Sequence, residues 1–133
     1  MGMATASEWM RRPPPKGVLL AFKIGGKATL AKLPPVAPRP FVNSDERFTP
    51  AQLAEGEAQY FGFCTICHNG PVNPDLLRSP MATDASAWRT VVFDGALADN
   101  GMIGFGPWLS ADEVESIRAY VLTEAGKRAQ AAD

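Results

Sequence analysis

The stretch that decides the fold of this chain is Cys64-Thr65-Ile66-Cys67-His68. It places two thiols three residues apart, with an imidazole directly after the second thiol. This is the attachment pattern of c-type haem, in which each thiol adds to one vinyl group and the imidazole becomes the proximal iron ligand. The chain has two cysteines and one histidine, so the motif uses every residue of both types. The sequence therefore predicts one covalent haem c, attached at Cys64 and Cys67 and ligated by His68.

Two other kinds of site share parts of this pattern. A structural zinc site usually needs four Cys or His ligands, and this chain offers three. A redox dithiol of the Cys-x-x-Cys type is expected near a βαβ pattern, and we find no such pattern in the sequence. Zinc without haem remains an alternative that a colourless pure protein would favour.

Length and charge limit the possible functions. A chain of 133 residues is long enough for one domain. The formal charge of −1, from 13 basic and 14 acidic residues, gives no basic face, so we expect no nucleic-acid partner. No apolar run approaches the roughly 18 residues of a membrane helix. The first residues do not resemble a signal peptide. Because covalent haem attachment normally happens outside the cytoplasm, we expect a periplasmic protein, with a leader or upstream domain left out of this sequence.

The N-terminal third is interrupted by prolines, and seven of the 12 lie between Pro13 and Pro40. We expect residues 1–16 to be an N-terminal extension. Residues 17–30 carry Val18, Leu20, Phe22 and Ile24 at alternate positions before Gly25-Gly26, which predicts a β-strand. A lone strand needs a sheet to join, and the rest of the chain offers none. Residues 31–48 are predicted to form an extended, proline-rich linker.

The second half is predicted to be helical, and its first helix has a clear start. Thr49 is the expected N-cap, Pro50 occupies the first helical position, and Gln52 completes the pattern of a capping box. We expect this helix to run to about Phe63, directly into the haem motif.

Two further helices are predicted. One runs from about Ser86 to Phe93 and stops at Gly95, although its β-branched residues leave a strand as the alternative. The other begins at the capping box of Ser110 and ends near Gly126, which leaves residues 127–133 as a C-terminal tail. The helical domain then spans residues 49–126.

The distal iron ligand is the next question. With one histidine, the sixth ligand must be methionine, an unusual donor such as lysine, an external ligand, or nothing. Apart from the methionines of the N-terminal arm, the candidates are Met81 and Met102. We favour Met102, because it lies between the middle and last helices in a glycine-rich segment that also carries Phe105 and Trp108 as candidate pocket walls. The glycines would let this backbone pass close to the porphyrin.

On the proximal side, prolines shape the loop after the motif. A backbone carbonyl there should accept a hydrogen bond from His68, and Pro74 is the preferred source. Leu76 is expected to pack on the haem face. Arg78 is a candidate partner for a haem propionate, with a solvent-exposed arginine as the alternative.

With these features, residues 47–125 resemble the class I cytochromes c. Gly56, Tyr60 and Cys64 are spaced four apart on the first helix. In that fold, a small residue and an aromatic at this spacing cross the C-terminal helix. The resemblance implies that they meet Ile117, Tyr120 and Val121. It also implies an all-α class I cytochrome c fold around one covalently bound haem, here preceded by an extended N-terminal arm.

A narrower resemblance is to the C-terminal cytochrome domain of quinohaemoprotein alcohol dehydrogenases, which join a pyrroloquinoline-quinone (PQQ) propeller to a cytochrome. The similar segments are Asn73-Pro74-Asp75-Leu76-Leu77-Arg78-Ser79, Asp94-Gly95-Ala96-Leu97, Asn100-Gly101-Met102 and residues 109–120. It implies that Met102 is the axial ligand, that residues 17–30 are the last propeller strand, and that residues 31–48 are the interdomain linker. Asn69 departs from the pattern, since glycine commonly follows the histidine, and it should shift the proximal loop slightly.

The resemblance implies an electron-transfer domain that is not itself an enzyme. PQQ, calcium and the catalytic carboxylate belong to a propeller domain that this chain lacks, so no catalytic residue is assigned. The expected electron donor is that PQQ propeller domain, and the expected acceptor is a membrane quinone or another redox carrier. The alternatives are a free-standing soluble cytochrome and a gas sensor or peroxidase-like haem protein with an open sixth site.

Overall fold

The structure, a computed structural model, describes residues 23–27, 29, 39–69 and 73–131. The chain divides into two units, Met1–Ala37 and Pro38–Asp133. In the first unit, the described residues contain a turn in which the Gly26 N–H donates to the carbonyl of Lys23 at 2.9 Å and Gly25 has φ 79°. This turn lies where the glycine pair was expected to end the strand. Apart from residue 29, the rest of that predicted strand lies outside the described residues, as do the extension 1–16 and all of residues 31–38.

The described part of the second unit is helical, as the all-α prediction requires. We label the α-helices α1 to α4 in chain order, and 3₁₀ turns occupy the connections between them. No described helix is long and apolar enough to cross a membrane. The elements are α1 (Pro50–Gln59), a π-helical turn (Tyr60–Cys64), α2 (Thr65–His68), 3₁₀ turns at Leu76–Arg78 and Pro80–Thr83, α3 (Ala85–Val92), a 3₁₀ turn at Ala98–Asn100, and α4 (Ala111–Gln130).

The first helix begins at the predicted residue but continues beyond its predicted end. The Thr49 hydroxyl accepts from the Gln52 N–H at 3.2 Å, which caps the helix and is one of the two hydrogen bonds of the predicted capping box. The prediction that the helix ends near Phe63 is wrong, because the chain stays helical through the motif to His68. The intervening π-helical turn inserts extra backbone, so the side chains that follow are rotated relative to those of α1. The Thr65 hydroxyl donates to the carbonyl of Phe61 at 2.9 Å within this widened turn.

The middle segment is a helix and not the alternative strand. The Asp84 carboxylate accepts from the N–H groups of Ser86 and Ala87, both at 3.0 Å, and so caps α3. The chain leaves the helix through Gly95, whose φ of 78° suits glycine, as the predicted stop requires. Trp88, 2% exposed, donates its indole N–H to the carbonyl of Val114 on α4 at 3.0 Å.

The last helix has the predicted start and a later end. Ser110 and Glu113 form a complete capping box. The expected end near Gly126 is wrong, since α4 continues to Gln130. The residues after Gly126 are good helix formers, and Lys127 pairs with Glu124 one turn earlier at 2.6 Å. Residues 127–130 of the expected tail therefore belong to the helix.

The first and last helices cross at Gly56, as the resemblance implied. A Cβ at Gly56 would lie 1.9 Å from the carbonyl oxygen of Ser116 and 3.0 Å from Cβ of Tyr120. The rings of Tyr60 and Tyr120 fill the next turn of the crossing, with centroids 5.2 Å apart. Glycine is required here because only a residue without Cβ allows the two backbones to approach so closely. The largest fully buried side chains of the core all belong to α4: Val114, Ile117 and Val121.

Residues 39–48, which we call the strap, pack on the helical domain although they fall within the predicted linker. Val42 is buried, and its N–H donates to the carbonyl of Leu77 at 2.9 Å. Glu46 pairs with Arg118 of α4 at 2.5 Å. The structured domain therefore begins before residue 49. The sequence did not reveal this because the strap has neither helical nor strand periodicity.

Candidate functional site

The two cysteines of the motif lie in different environments. Cys64 is buried at the end of the π-helical turn, and Cys67 is exposed on α2. Neither forms a disulfide. Burial raises the pKa of the Cys64 thiol from 9.0 to about 12, so this thiol stays protonated at neutral pH. In the described part of the chain, no three Cys, His, Asp or Glu side chains are grouped to hold a metal ion.

His68 is held by the backbone carbonyl that the sequence singled out. Its Nδ1 lies 2.8 Å from the carbonyl oxygen of Pro74. A carbonyl only accepts hydrogen bonds, so the proton of the neutral imidazole must be on Nδ1. The lone pair is then on Nε2, the nitrogen that remains for a metal. The contact therefore selects both the tautomer and the ring orientation that axial ligation of an iron needs.

Asn73 belongs to the segment that carries the family resemblance, but no role was predicted for its side chain. Its side-chain N–H donates to the carbonyl of Cys67 at 2.7 Å. Carbonyls in the last turn of a helix lack backbone partners, and α2 is one turn long. Asn73 thus joins the proximal loop to the turn that bears Cys67 and His68. The available signal was the tendency of asparagine to bond nearby backbone groups.

The other two predicted proximal residues have clear positions. Leu76 is buried in the core at 9% exposure. Arg78 is half-buried, pairs with Asp75 at 3.2 Å and lies over the ring of Phe41, 3.6 Å from its centroid. One terminal nitrogen of Arg78 also donates to the carbonyl of Arg39. Arg78 is therefore not the freely exposed arginine of the alternative, and its pairing with a propionate stays a prediction.

The segment that carries Met102 returns along the end of α3. The N–H groups of Phe105 and Gly106 donate to the carbonyls of Val92 and Phe93 at 2.7 and 3.1 Å. Phe105 packs edge-on against Phe63, with centroids 5.8 Å apart. Because Phe63 directly precedes Cys64, this contact brings the Met102 segment to the helical stretch that bears the motif.

The glycines of this segment have a role that we did not predict. A Cβ at Gly104 would lie 2.8 Å from the Cα of Gly95, and one at Gly106 would lie 3.0 Å from the carbonyl oxygen of Phe93. Their small size therefore permits close contact with the turn after α3. The expected reason, backbone passing close to a porphyrin, is not needed to explain them.

Met81 and Met102 are both half-buried and pack against the core. Met81 lies in the second 3₁₀ turn, and Met102 follows Gly101, whose φ is 91°. The choice of Met102 over Met81 as distal ligand stays a prediction.

These residues fit a haem in two respects. The donor set consists of two free thiols, an imidazole with the tautomer that ligation needs, and two thioethers. Large apolar side chains are also exposed in the motif and in the Met102 segment, where an apolar porphyrin would cover them. They are Ile66 at 81%, Trp108 at 62% and Ile103 at 50% exposure.

Comparison with known proteins identifies related domains. Residues 51–121 match the family described as cytochrome c oxidase, cbb3-type, subunit III. The chain is 37% identical over 114 residues to the quinohemoprotein alcohol dehydrogenase ADH IIB of Pseudomonas putida. It is 33% identical over 114 residues to the dehydrogenase subunit of a quinone alcohol dehydrogenase of Acetobacter aceti. It is also 35% identical over 83 residues to cytochrome c6 of Synechocystis.

The matches cover different fractions of this chain and of each relative. The two alcohol dehydrogenase matches include 79% and 80% of this chain but only 16% and 15% of the relatives. The cytochrome c6 match includes 58% of this chain and 69% of that protein. The chain therefore spans about one sixth of the dehydrogenases and matches them over a segment of cytochrome size.

Proposed function

Because this chain belongs to the cytochrome c family, we propose that it is the electron-transfer domain of a PQQ-dependent quinohaemoprotein alcohol dehydrogenase. Haem-based electron transfer is the function of such domains, and the matches to quinohaemoprotein alcohol dehydrogenases identify the relevant group. Alcohol oxidation itself is assigned to a propeller domain and not to this chain.

The observation that carries the proposal is the contact between His68 Nδ1 and the carbonyl of Pro74. It holds the imidazole with Nε2 free, one residue after the second thiol of the motif. Cys64 and Cys67 would hold one haem c through two thioethers, and His68 would be its proximal ligand. When bound, haem supplies an iron that alternates between ferric and ferrous states.

The surrounding residues have proposed roles in the same site. Met102 would be the distal ligand, and His/Met ligation favours a raised reduction potential. Leu76, Phe105 and Trp108 would contact the porphyrin and exclude water from it, while Arg78 would pair with a propionate. The carbonyl of Pro74 holds the axial histidine.

The proposed electron donor is the PQQ site of a propeller domain, which also holds calcium, and the acceptor is a membrane quinone or another redox carrier. The named activities of the dehydrogenase relatives support this donor. The proposed location is the periplasm, since covalent haem attachment normally takes place outside the cytoplasm.

The chain expressed with a haem-attachment system tests the central claim. Acid–acetone extraction should leave the colour with the protein, and the denatured mass should exceed the chain mass by one haem. Cys64→Ala combined with Cys67→Ala is the matched control and should release the haem on extraction. Haem that can be extracted from the unaltered chain would contradict the proposal.

A second candidate is a free-standing soluble electron carrier. The match to cytochrome c6, of which the chain covers 69%, favours it. The mass of the native haem protein, detected by haem staining in extracts of the source organism, separates the two. A large haem-stained polypeptide is expected for the dehydrogenase, and a small one for the free carrier.

A further inference from the structure

We infer that the strap positions the axial histidine, by holding the loop whose Pro74 carbonyl accepts from His68. This inference rests on the proposed haem site, since it concerns the residue that would ligate the iron. The strap contributes no atom to the motif. It acts through the 3₁₀ turn Leu76–Arg78, which directly follows the loop.

The strap contacts that turn at three points. The guanidinium of Arg78 lies over the ring of Phe41, 3.6 Å from its centroid, a distance suited to a cation–π contact. A terminal nitrogen of Arg78 donates to the carbonyl of Arg39. The N–H of Val42 donates to the carbonyl of Leu77 at 2.9 Å. Three residues of the strap therefore contact two consecutive residues of the turn, Leu77 and Arg78.

The turn is also bonded directly to Asp75, the residue that follows Pro74. One carboxylate oxygen of Asp75 accepts from the Leu77 N–H at 3.0 Å, and the other pairs with Arg78 Nε at 3.2 Å. Displacement of Arg78 or Leu77 therefore displaces Asp75, which shares a peptide bond with the Pro74 carbonyl. On the other side of Pro74, Asn73 is fixed to the carbonyl of Cys67 at 2.7 Å.

Pro74 depends on these neighbours for its position. It has no N–H of its own, and it is exposed to solvent. The accepting carbonyl is thus fixed from one side by Asn73 and from the other by the turn that the strap holds.

The far end of the strap has a different anchor, which supplies a control. Arg118 of α4, 2% exposed, donates to both carboxylate oxygens of Glu46 and to the carbonyl of Ala82 at 3.0 Å. Its guanidinium lies 5.9 Å from the ring centroid of Phe48. Phe41 and Phe48 are therefore two half-buried phenylalanines of one strap, each beside an arginine, but only Phe41 lies on the turn that follows Pro74.

The expected effect is on His68 and not only on stability. When the loop is less restrained, the Nδ1–H donates less well to Pro74 and exchanges faster with solvent. A weaker hydrogen bond from Nδ1 also makes the imidazole a poorer donor to iron, which disfavours the ferric state. The reduction potential should therefore rise together with the exchange rate.

The experiment compares Phe41→Ala with Phe48→Ala in the haem-loaded full chain. NMR of the reduced protein measures exchange of the His68 Nδ1 proton, and a redox titration measures the potential. Phe41→Ala should speed exchange at least about fivefold, which corresponds to about 1 kcal/mol. Phe48→Ala should leave exchange unchanged, and Phe41→Tyr, which keeps the ring, should exchange as slowly as the unaltered chain.

Arg78→Lys tests the same contact without removing an apolar side chain. It keeps a positive charge opposite Asp75 and the proposed propionate. It loses both the planar group over Phe41 and the guanidinium donor to the Arg39 carbonyl, and should also speed exchange. The inference is overturned if neither Phe41→Ala nor Arg78→Lys changes exchange, or if Phe48→Ala changes it as much as Phe41→Ala.

Haem content is measured first in the unaltered chain. If that chain binds no haem, the proposed function fails. The effect of the strap on His68 is then tested by the ¹⁵N chemical shifts of the His68 ring. These shifts report the Nδ1–H tautomer. Loss of that tautomer in Phe41→Ala but not in Phe48→Ala supports the inference, and equal shifts in both variants overturn it.

Discussion

Gly56 and Ser116 bring the first and last helices into direct backbone contact. A Cβ at residue 56 would lie 1.9 Å from the carbonyl oxygen of Ser116. That oxygen belongs to the backbone of a long helix and cannot move aside as a flexible side chain would. The crossing also lies near the motif, since Cys64 ends the π-helical turn that follows α1. The geometry of this contact therefore affects both stability and the position of the first thiol.

Gly56→Ala should destabilise the fold by about 3 kcal/mol or more, because the added methyl group overlaps the Ser116 carbonyl. Urea denaturation of the haem-loaded protein measures the loss. Gly126→Ala on α4 is the matched control, since a Cβ there meets nothing within 4 Å. It should stabilise the protein by about 0.5–1 kcal/mol through helix propensity. Equal effects of the two substitutions would contradict the crossing.

Met102→Ala should remove the weak absorption of the oxidised protein that arises from sulfur–iron bonding, and should lower the reduction potential. Thioether sulfur prefers ferrous iron, so its loss favours the ferric state. The opened site should bind carbon monoxide in the reduced protein. Visible spectroscopy and a redox titration measure these changes.

Met81→Ala is the matched control for Met102, since both residues are half-buried methionines packed against the core. It should leave the absorption and the potential nearly intact, with a modest cost in packing. If Met81→Ala alone abolishes the sulfur–iron absorption, Met81 is the ligand. Ready carbon monoxide binding by the unaltered protein would favour the sensor or peroxidase-like alternative.

The ion pair of Glu46 with Arg118 should make stability depend on pH. The hydrogen bond from Arg118 lowers the pKa of Glu46 below its ordinary value of 4.5, against the opposing effect of burial. The unfolded chain then binds this proton more readily than the folded chain does. The stabilisation is therefore present above pH 4.5 and is lost as the pH falls through the lowered pKa.

Glu46→Gln tests this dependence when unfolding is measured from pH 7 down to pH 3. The free-energy difference between the unaltered protein and the variant should be largest near neutral pH and should shrink below about pH 4.5. In an Arg118→Gln background, Glu46→Gln should no longer produce a pH-dependent difference. A difference that persists unchanged at pH 3 would show that the ion pair is not its cause.

Asn73→Ala should destabilise the haem-loaded protein by about 1 kcal/mol, because the carbonyl of Cys67 loses its hydrogen-bond donor. Asn73→Asp should cost more, since a carboxylate cannot donate and repels that carbonyl. Chemical denaturation followed by haem absorbance measures both values. Asn43→Ala, at an exposed residue of the strap, is the control and should have an effect within about 0.5 kcal/mol. An Asn73→Asp protein as stable as the unaltered one would refute the contact.

Much of the helical framework was predictable because its determinants are local. The caps of α1 and α4 depend on residues three apart, Thr49 with Gln52 and Ser110 with Glu113, and both form. The proximal contact of His68 with Pro74 also spans only six residues. Such short-range patterns can be recognised in the sequence, because few arrangements of the intervening backbone are compatible with them.

The errors in the predicted helix ends have local causes as well. A glycine in a helix is unfavourable by about 1 kcal/mol, which is a weak signal when the residues after Gly126 favour helix. The π-helical turn before the motif has no distinctive residue pattern, so the first helix was expected to end at Phe63. In both places, small energy differences decided the outcome.

The sequence by itself determined the chemistry of this protein: the two thiols, the imidazole and the helical segments that present them. Only the tertiary structure decided which distant residues support that chemistry. Glu46 and Arg118 are 72 residues apart, and Arg39 and Arg78 are 39 apart. No periodicity or short motif encodes such pairs, because they form only after the helices pack. The strap therefore looked like linker in the sequence, although packing makes it part of the domain.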